Sequence, residues 1–262
     1  KIEKNNTNIR ATGSSLGANP ILKITKMTGT FPGSTVELAR SLIYTDITDL
    51  SGKIYIDQTI PSSSVSYFLK MFNYRHGQQT PTSFDLKIFP LSRSWNEGTG
   101  LDDQTFTDKG FCNWLSASST QTWTTSGSDF LETGYGSASQ NFDHGDEDLE
   151  VNITQVVNNW LTSSIGLNGG LPNNGLAVML SSANENNTTE YKTKVFHSRE
   201  TREVDKVPYV EARWNDAKTD NRNNFIYNQV STLYMYNFVR GELSSAALPV
   251  TVRIQDHLVG AS

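Results

Sequence analysis

Four consecutive residues, His197-Ser198-Arg199-Glu200, put an imidazole, a hydroxyl, a guanidinium and a carboxylate side by side. In a hydrolase such a set would supply a nucleophile and its base. The spacing argues against that use. Neighbours in an extended segment point to opposite faces, so His197 and Ser198 diverge, and no G-x-S-x-G turn presents the serine. The same residues suit an architectural role, in which Arg199 or Glu200 satisfies buried polar groups at a sheet end and pins the loop before Pro208. Glu97 is a candidate general acid, but glycoside hydrolysis needs two facing carboxylates about 5–10 Å apart. Asp102 and Asp103 are near in sequence, and nothing in the spacing turns them toward Glu97. Residues 94–100 therefore read as a turn, with Trp95 packed inward and Gly98 and Gly100 free to take positive φ. No catalytic residue is assigned, and the chain is expected not to be an enzyme.

The densest acidic stretch is Asn141–Glu150, with Asp143, Asp146, Glu147, Asp148 and Glu150. Carboxylates are the hard oxygen ligands that calcium takes. The spacing is not that of an EF-hand loop. Calcium at Asp143, Asp146 and Asp148 is the metal expectation, and no cofactor is required. Cys112 is the only cysteine and the four histidines are isolated, so neither an intrachain disulfide nor a Cys- or His-paired zinc site is available. Trp114, Trp123 and Tyr135 lie in long loops, near Phe130. Exposed rings there would stack on sugar faces, although aromatic side chains more often fill cores and interfaces. Trp114, Trp123 and Tyr135 are the glycan-platform candidates.

The elements that must position these residues are strands. Charged residues make up 19% of the chain, and Ser, Thr, Asn and Gly fill the gap, which suits strands joined by polar loops. Strands are predicted at Ile21–Met27, Ala39–Leu50, Lys53–Ile60, Val65–Tyr74, Phe84–Leu91, Asp148–Ile153, Leu176–Ser182, Tyr191–Ser198 and Tyr209–Trp214. Residues 92–148 show little periodicity. One helix is predicted at Thr154–Ser163, capped by Thr154, with Val156, Val157, Trp160 and Leu161 on its apolar face. The pattern implies an all-β, jelly-roll-like antiparallel β-sandwich with one short helix over residues 1–214, a polar linker at 215–229, and a small β extension at 230–262. The extension reads as two strands, Ser231–Gly241 and Leu248–Asp256, joined by Glu242–Ala247. Two strands do not bury a core, so Tyr234, Tyr236, Val250, Val252 and Ile254 are assigned to assembly. A net charge of −5 without a Lys/Arg cluster argues against nucleic acid, and no apolar run approaches the ~20 residues of a membrane span. Lys1 stands where a Met would start a chain, so a processed chain or a piece of a longer one is expected.

Six segments occur in a telling order: RSLIYTDITDL, SRSWNEGTG, QTWTTSG, DLEVNITQVVNNWL, NNGLAVML and FHSRET with VPYVEARW. This order resembles the DNRLRE-type jelly-roll family, which overlaps carbohydrate-binding modules of secreted polysaccharide-degrading enzymes. Similar domains occur in structural proteins of tailed bacteriophages. The resemblance covers roughly residues 5–214, with 103–120 as an insertion and 220–262 outside it. It implies a fold and two settings. One is a virion surface, as a non-catalytic capsid-decoration or tail-associated protein whose partners are copies of itself or other virion proteins. The other is a secreted carbohydrate-binding module whose partner is a polysaccharide.

Overall fold

The computed structural model describes residues 2–5, 16–28, 36–60, 65–77, 80–101, 111–167, 169–187, 190–215, 220–221, 228–235, 238–239 and 242–243. The chain divides into two units, residues 1–215 and 216–262. The first is an all-β antiparallel sandwich. Its strands are β1 (Ile2–Asn5), β2 (Ile21–Thr28), β3 (Val36–Ile43), β4 (Ser66–Met71), β5 (Phe84–Pro90), β6 (Ala138–Phe142), β7 (Leu149–Asn152), β8 (Leu176–Leu180), β9 (Lys192–His197) and β10 (Tyr209–Arg213). The larger sheet runs β6-β5-β8-β3-β2-β9, with β1 also on β3. The smaller sheet runs β10-β4-β7.

Period-two patterning explains β4 and β5. Tyr67, Leu69 and Met71, and Phe84, Leu86 and Ile88, point into the core and alternate with partly exposed residues. β8 is different, because all five residues of Leu176–Leu180 are buried. Val178 and Leu180 face the main core, while Ala177 joins a second cluster with Leu42, Leu91, Trp114 and Trp123. A strand covered on both faces reads as a continuous apolar run. Helix α2 (Thr154–Ser164) lays Val156, Val157, Trp160 and Leu161 into the main core, as its periodicity predicts. Thr154 is not its cap. Its Oγ1 accepts from the Tyr67 N–H, and the Asn152 side chain accepts from the Thr154 N–H.

The two sheets are joined along both sides. On one side the Tyr74 N–H donates to Val195 O and the His197 N–H to Phe72 O, so the end of β4 continues onto β9. On the other, the Gln140 side chain spans β6 and β7, donating to Asp148 O and accepting from the Glu150 N–H.

Residues 44–60 contain no strand, against expectation. A helical turn α1 (Thr48–Ser51) runs into a π-helical turn at Gly52–Ile56. Asp46 Oδ1 opens it by accepting from both the N–H and Oγ1 of Thr48. Ile47 and Ile54 enter the core and Leu50 packs against it, a helical spacing, while Ile56 is 82% exposed. A short helix α3 (Ser182–Asn186) and the strands β1 and β6 lie where none was predicted.

The outer face of the smaller sheet carries a charge network. Arg213 contacts Glu150 and Glu211 at 2.6 and 2.7 Å, and Lys70 lies 3.3 and 3.1 Å from the same two carboxylates. Hydrogen bonds from Arg213, then Lys70, hold the Glu211 carboxyl down at about 2, from an ordinary 4.5. A carboxyl depressed by folding stabilises the fold above its unfolded value and loses that contribution as pH falls through its folded value. Glu211→Gln should therefore make the stability-versus-pH curve shallower between about 4.5 and about 2. Denaturant melts across that window that keep the wild-type slope would show that the network exerts no such pull.

Candidate functional site

The chemistry-bearing segment at 197–200 closes one end of the sandwich, and Ser198 does the pinning. Ser198 is buried, donates through Oγ to Asn19 O at 2.6 Å and accepts from the Glu200 N–H at 3.0 Å. His197 is also buried. Its Nδ1 meets Thr201 Oγ1 at 2.9 Å, and its ring packs edge-on against Tyr74. Hydroxyl and imidazole thus have separate partners. The expected clamp residues are the exposed ones: the Arg199 side chain is 65% exposed and pairs with Glu97 at 2.9 Å and Glu200 at 3.0 Å.

Beside this end lies a pocket of ≈ 340 Å³. Leu16, Leu22, Leu42 and Ile43 make its apolar part, and Tyr44, Trp95, Glu97, Asn173, Arg199 and Pro208 supply rings and polar groups. Trp95 is held by its Nε1–H, which donates to Asn174 O at 3.0 Å, and Asn173 Nδ2 donates to Thr45 O at 2.8 Å. Tyr44 is 57% exposed. Gly98 and Gly100 do not take positive φ. The glycine requirement here is close approach, since a Cβ on Gly17 would sit 1.7 Å from Gly98 O. A mostly apolar recess with a few placed polar groups is the usual form of a small-ligand site. Glu97 meets a guanidinium there, and Asp102 and Asp103 lie outside the described residues.

The predicted aromatic platform is not on the surface. Trp114 and Trp123 are 2% and 5% exposed and belong to the cluster on the outer face of β3 and β8. Their rings cover the back of the larger sheet, so no open face is left for a sugar. Trp123 Nε1 donates to Asn113 O, and Trp114 lies under the Arg40 guanidinium at 4.9 Å. Tyr135 is half-buried and packs against the other cluster, so the three rings are not brought together.

The acidic loop 143–148 encloses a cation of the chain's own. The Lys194 side chain is buried, and its Nζ donates to Asn73 Oδ1 at 2.8 Å, Gly145 O at 3.0 Å and Glu147 O at 2.6 Å. The rings of Phe142 and Phe196 each lie 4.9 Å from Nζ. Burial pushes the amine down to about 8, against the upward pull of Glu147, Asp148 and Asp146. Burial alone would raise the Glu147 carboxyl, but backbone N–H groups, His144 first, hold it below its ordinary value. Asp143, Asp146 and Asp148 are exposed, and Asp148 Oδ1 accepts from the Asn73 N–H at 2.7 Å. Among the described residues no three Asp, Glu, His or Cys side chains converge as ion ligands, so the proposed calcium set Asp143, Asp146 and Asp148 is not assembled. Lys194 is the residue that sequence reasoning missed here.

In the second unit the Tyr234 N–H donates to Asp220 Oδ2, and Asn221 and Thr232 exchange two hydrogen bonds. Residues of the expected linker thus bond to the segment after it. Strands β11 (Phe238–Val239) and β12 (Glu242–Leu243) pair with each other, so Glu242 and Leu243, expected in the joining segment, stand in a strand. Tyr234 is 37% exposed, and Tyr236, Val250, Val252 and Ile254 lie outside the described side chains.

Comparison with protein-family models and with curated proteins finds no match to this chain.

Arg40 organises the second cluster. It pairs with both oxygens of Glu185 at 2.9 and 2.6 Å, donates to Gly127 O at 2.8 Å, and spans Trp114 and Phe130. Both charged side chains are about nine-tenths buried. Arg40→Met should cost about 3–5 kcal/mol, because it strands the Glu185 carboxylate in a dry site. Adding Glu185→Leu should return much of that loss in denaturant melts. A single-variant loss below about 1 kcal/mol would mean the pair is solvated, as at a surface.

Proposed function

We propose that the chain is a non-catalytic structural and interaction protein of a tailed-phage particle, carried on its surface as a decoration or tail-associated component. The observation that carries this reading is the division into a sandwich with its own core and a second unit none of whose described side chains is buried. The second unit's described strands are two residues long, and Val230, Tyr234 and Met235 are exposed. Such a hairpin is not stable alone, so its apolar residues gain cover from a neighbouring subunit. The phage setting comes from the resemblance of the sandwich segments. The partners are copies of this chain or other virion proteins. Truncation after Asn215 should leave a folded, monomeric sandwich, while the full chain self-associates or joins its particle. Light scattering and particle reconstitution that show equal assembly by both forms would defeat the proposal.

A second reading, a carbohydrate-binding module, is favoured by the pocket at Tyr44 and Trp95. It moves the glycan contact away from Trp114, Trp123 and Tyr135. Tyr44→Ala should lower retention on an immobilised polysaccharide about tenfold or more, given that ring stacking on a ligand is worth roughly 1–3 kcal/mol. Glycan-array binding that is undetectable for the wild-type chain would remove this reading.

A further inference from the structure

We propose that Lys194 and Asn73 become joined by an intramolecular isopeptide bond across the seam between the two sheets. The amine and the side-chain amide are already in contact, with Nζ 2.8 Å from Asn73 Oδ1. A carbonyl bond is about 1.23 Å long, so the amide carbon lies within about 4 Å of the amine. Productive attack distances are about 3–3.5 Å, and a small side-chain rotation closes the difference. Both partners are held. Lys194 sits in β9, is 1% exposed, and has Phe142 and Phe196 against its ammonium. Asn73 is fixed by its N–H bond to Asp148 and by its bridge to Phe196.

A proton acceptor is present. The candidate is Glu147, whose main-chain oxygen accepts from Nζ at 2.6 Å and whose Oε2 is buried without a hydrogen-bond partner, so that a side-chain rotation brings this oxygen to the amine. In the reaction the Lys194 ammonium gives one proton to the Glu147 carboxylate. The freed lone pair attacks Asn73 Cγ, forming the Nζ–Cγ bond. The bond from Cγ to the amide nitrogen then breaks. That nitrogen takes the proton from Glu147 and the second proton lost by Nζ and leaves as ammonium, so the chain itself loses the mass of one ammonia. No oxidant and no cofactor is consumed. A chain whose only cysteine is Cys112 makes no intrachain disulfide, and this amide would serve the same purpose by locking β9 of one sheet to the end of β4 in the other.

The test is the mass of the folded full-length chain. It should fall below the sequence mass by one ammonia, and digestion should release a branched peptide joining the Asn73 segment to the Lys194 segment. K194R and N73A should restore the sequence mass. N73A removes only the electrophile and so covers a folding failure of K194R. E147Q, with its fold checked by circular dichroism, should form the bond about 10²-fold more slowly. The full sequence mass in the wild-type chain after prolonged incubation overturns the proposal. So does an ammonia loss mapped to Asn168-Gly169 or Asn174-Gly175 as a succinimide without a branched peptide. Wild-type speed in E147Q overturns the role given to Glu147.

Discussion

A charge taken out of water must be surrounded by groups that replace the water, and at Lys194 that requirement organises the seam of the sandwich. An ammonium has three donors and no acceptor. Asn73 Oδ1, Gly145 O and Glu147 O match them one for one. Two of these oxygens belong to the turn that leads from β6 in one sheet to β7 in the other. The third stands where β4 runs onto β9. Holding the lysine therefore fixes the turn, and fixing the turn sets how the sheets meet. Gly145 follows from the same need. Its φ is +81°, and a Cβ there would lie 2.2 Å from Pro81 O, so only glycine brings that carbonyl to the amine without displacing the neighbouring loop.

The outer face of the larger sheet repeats the device. Arg40 emerges from β3 under a loop that has few strand contacts of its own. Its guanidinium takes Glu185 on one side and the Gly127 carbonyl on another, with Trp114 and Phe130 against its planar faces. That cover keeps water off the back of β8, which is why a five-residue strand with no polar side chain is tolerated there. Buried cations thus hold both the seam and the back of the sheet.

Some of this was legible in the sequence and some was not, for physical reasons. β4, β5 and the face of α2 were legible because their burial follows one period along one element. Residues 44–60 were not, because Ile54, Tyr55 and Ile56 look like a strand locally, and only the longer spacing Ile47, Leu50, Ile54 shows the helical face. β6 was hidden because Ala-Ser-Gln-Asn-Phe buries only Phe142 and is otherwise held by pairing with β5. Trp114 and Trp123 were misplaced because a loop rich in Ser and Thr looks solvent-facing, whereas this one is spread over a sheet. Lys194 was missed because a lysine in a strand is ordinarily outward. The available signal was its spacing two residues from Phe196, on the same side of β9.

What the closed seam leaves open bears on how such a domain can interact. A sandwich whose β4 runs onto β9, and whose β6 and β7 are bridged by Gln140, has few unpaired backbone edges to offer. The exposed edge strand β10 carries Glu211 and Arg213, tied by ion pairs to β4 and β7, and charges on an edge oppose strand addition. Contacts with other molecules then fall to features outside the sheets. Among the described residues these include the recess between Tyr44, Trp95 and Arg199, and the exposed apolar side chains of the second unit. The first is rigid, because Trp95 and Asn173 are hydrogen-bonded to neighbouring main chain, and it suits a small or repeating ligand. The second presents Val230, Tyr234 and Met235 to solvent, an apolar set of the kind that suits a protein surface.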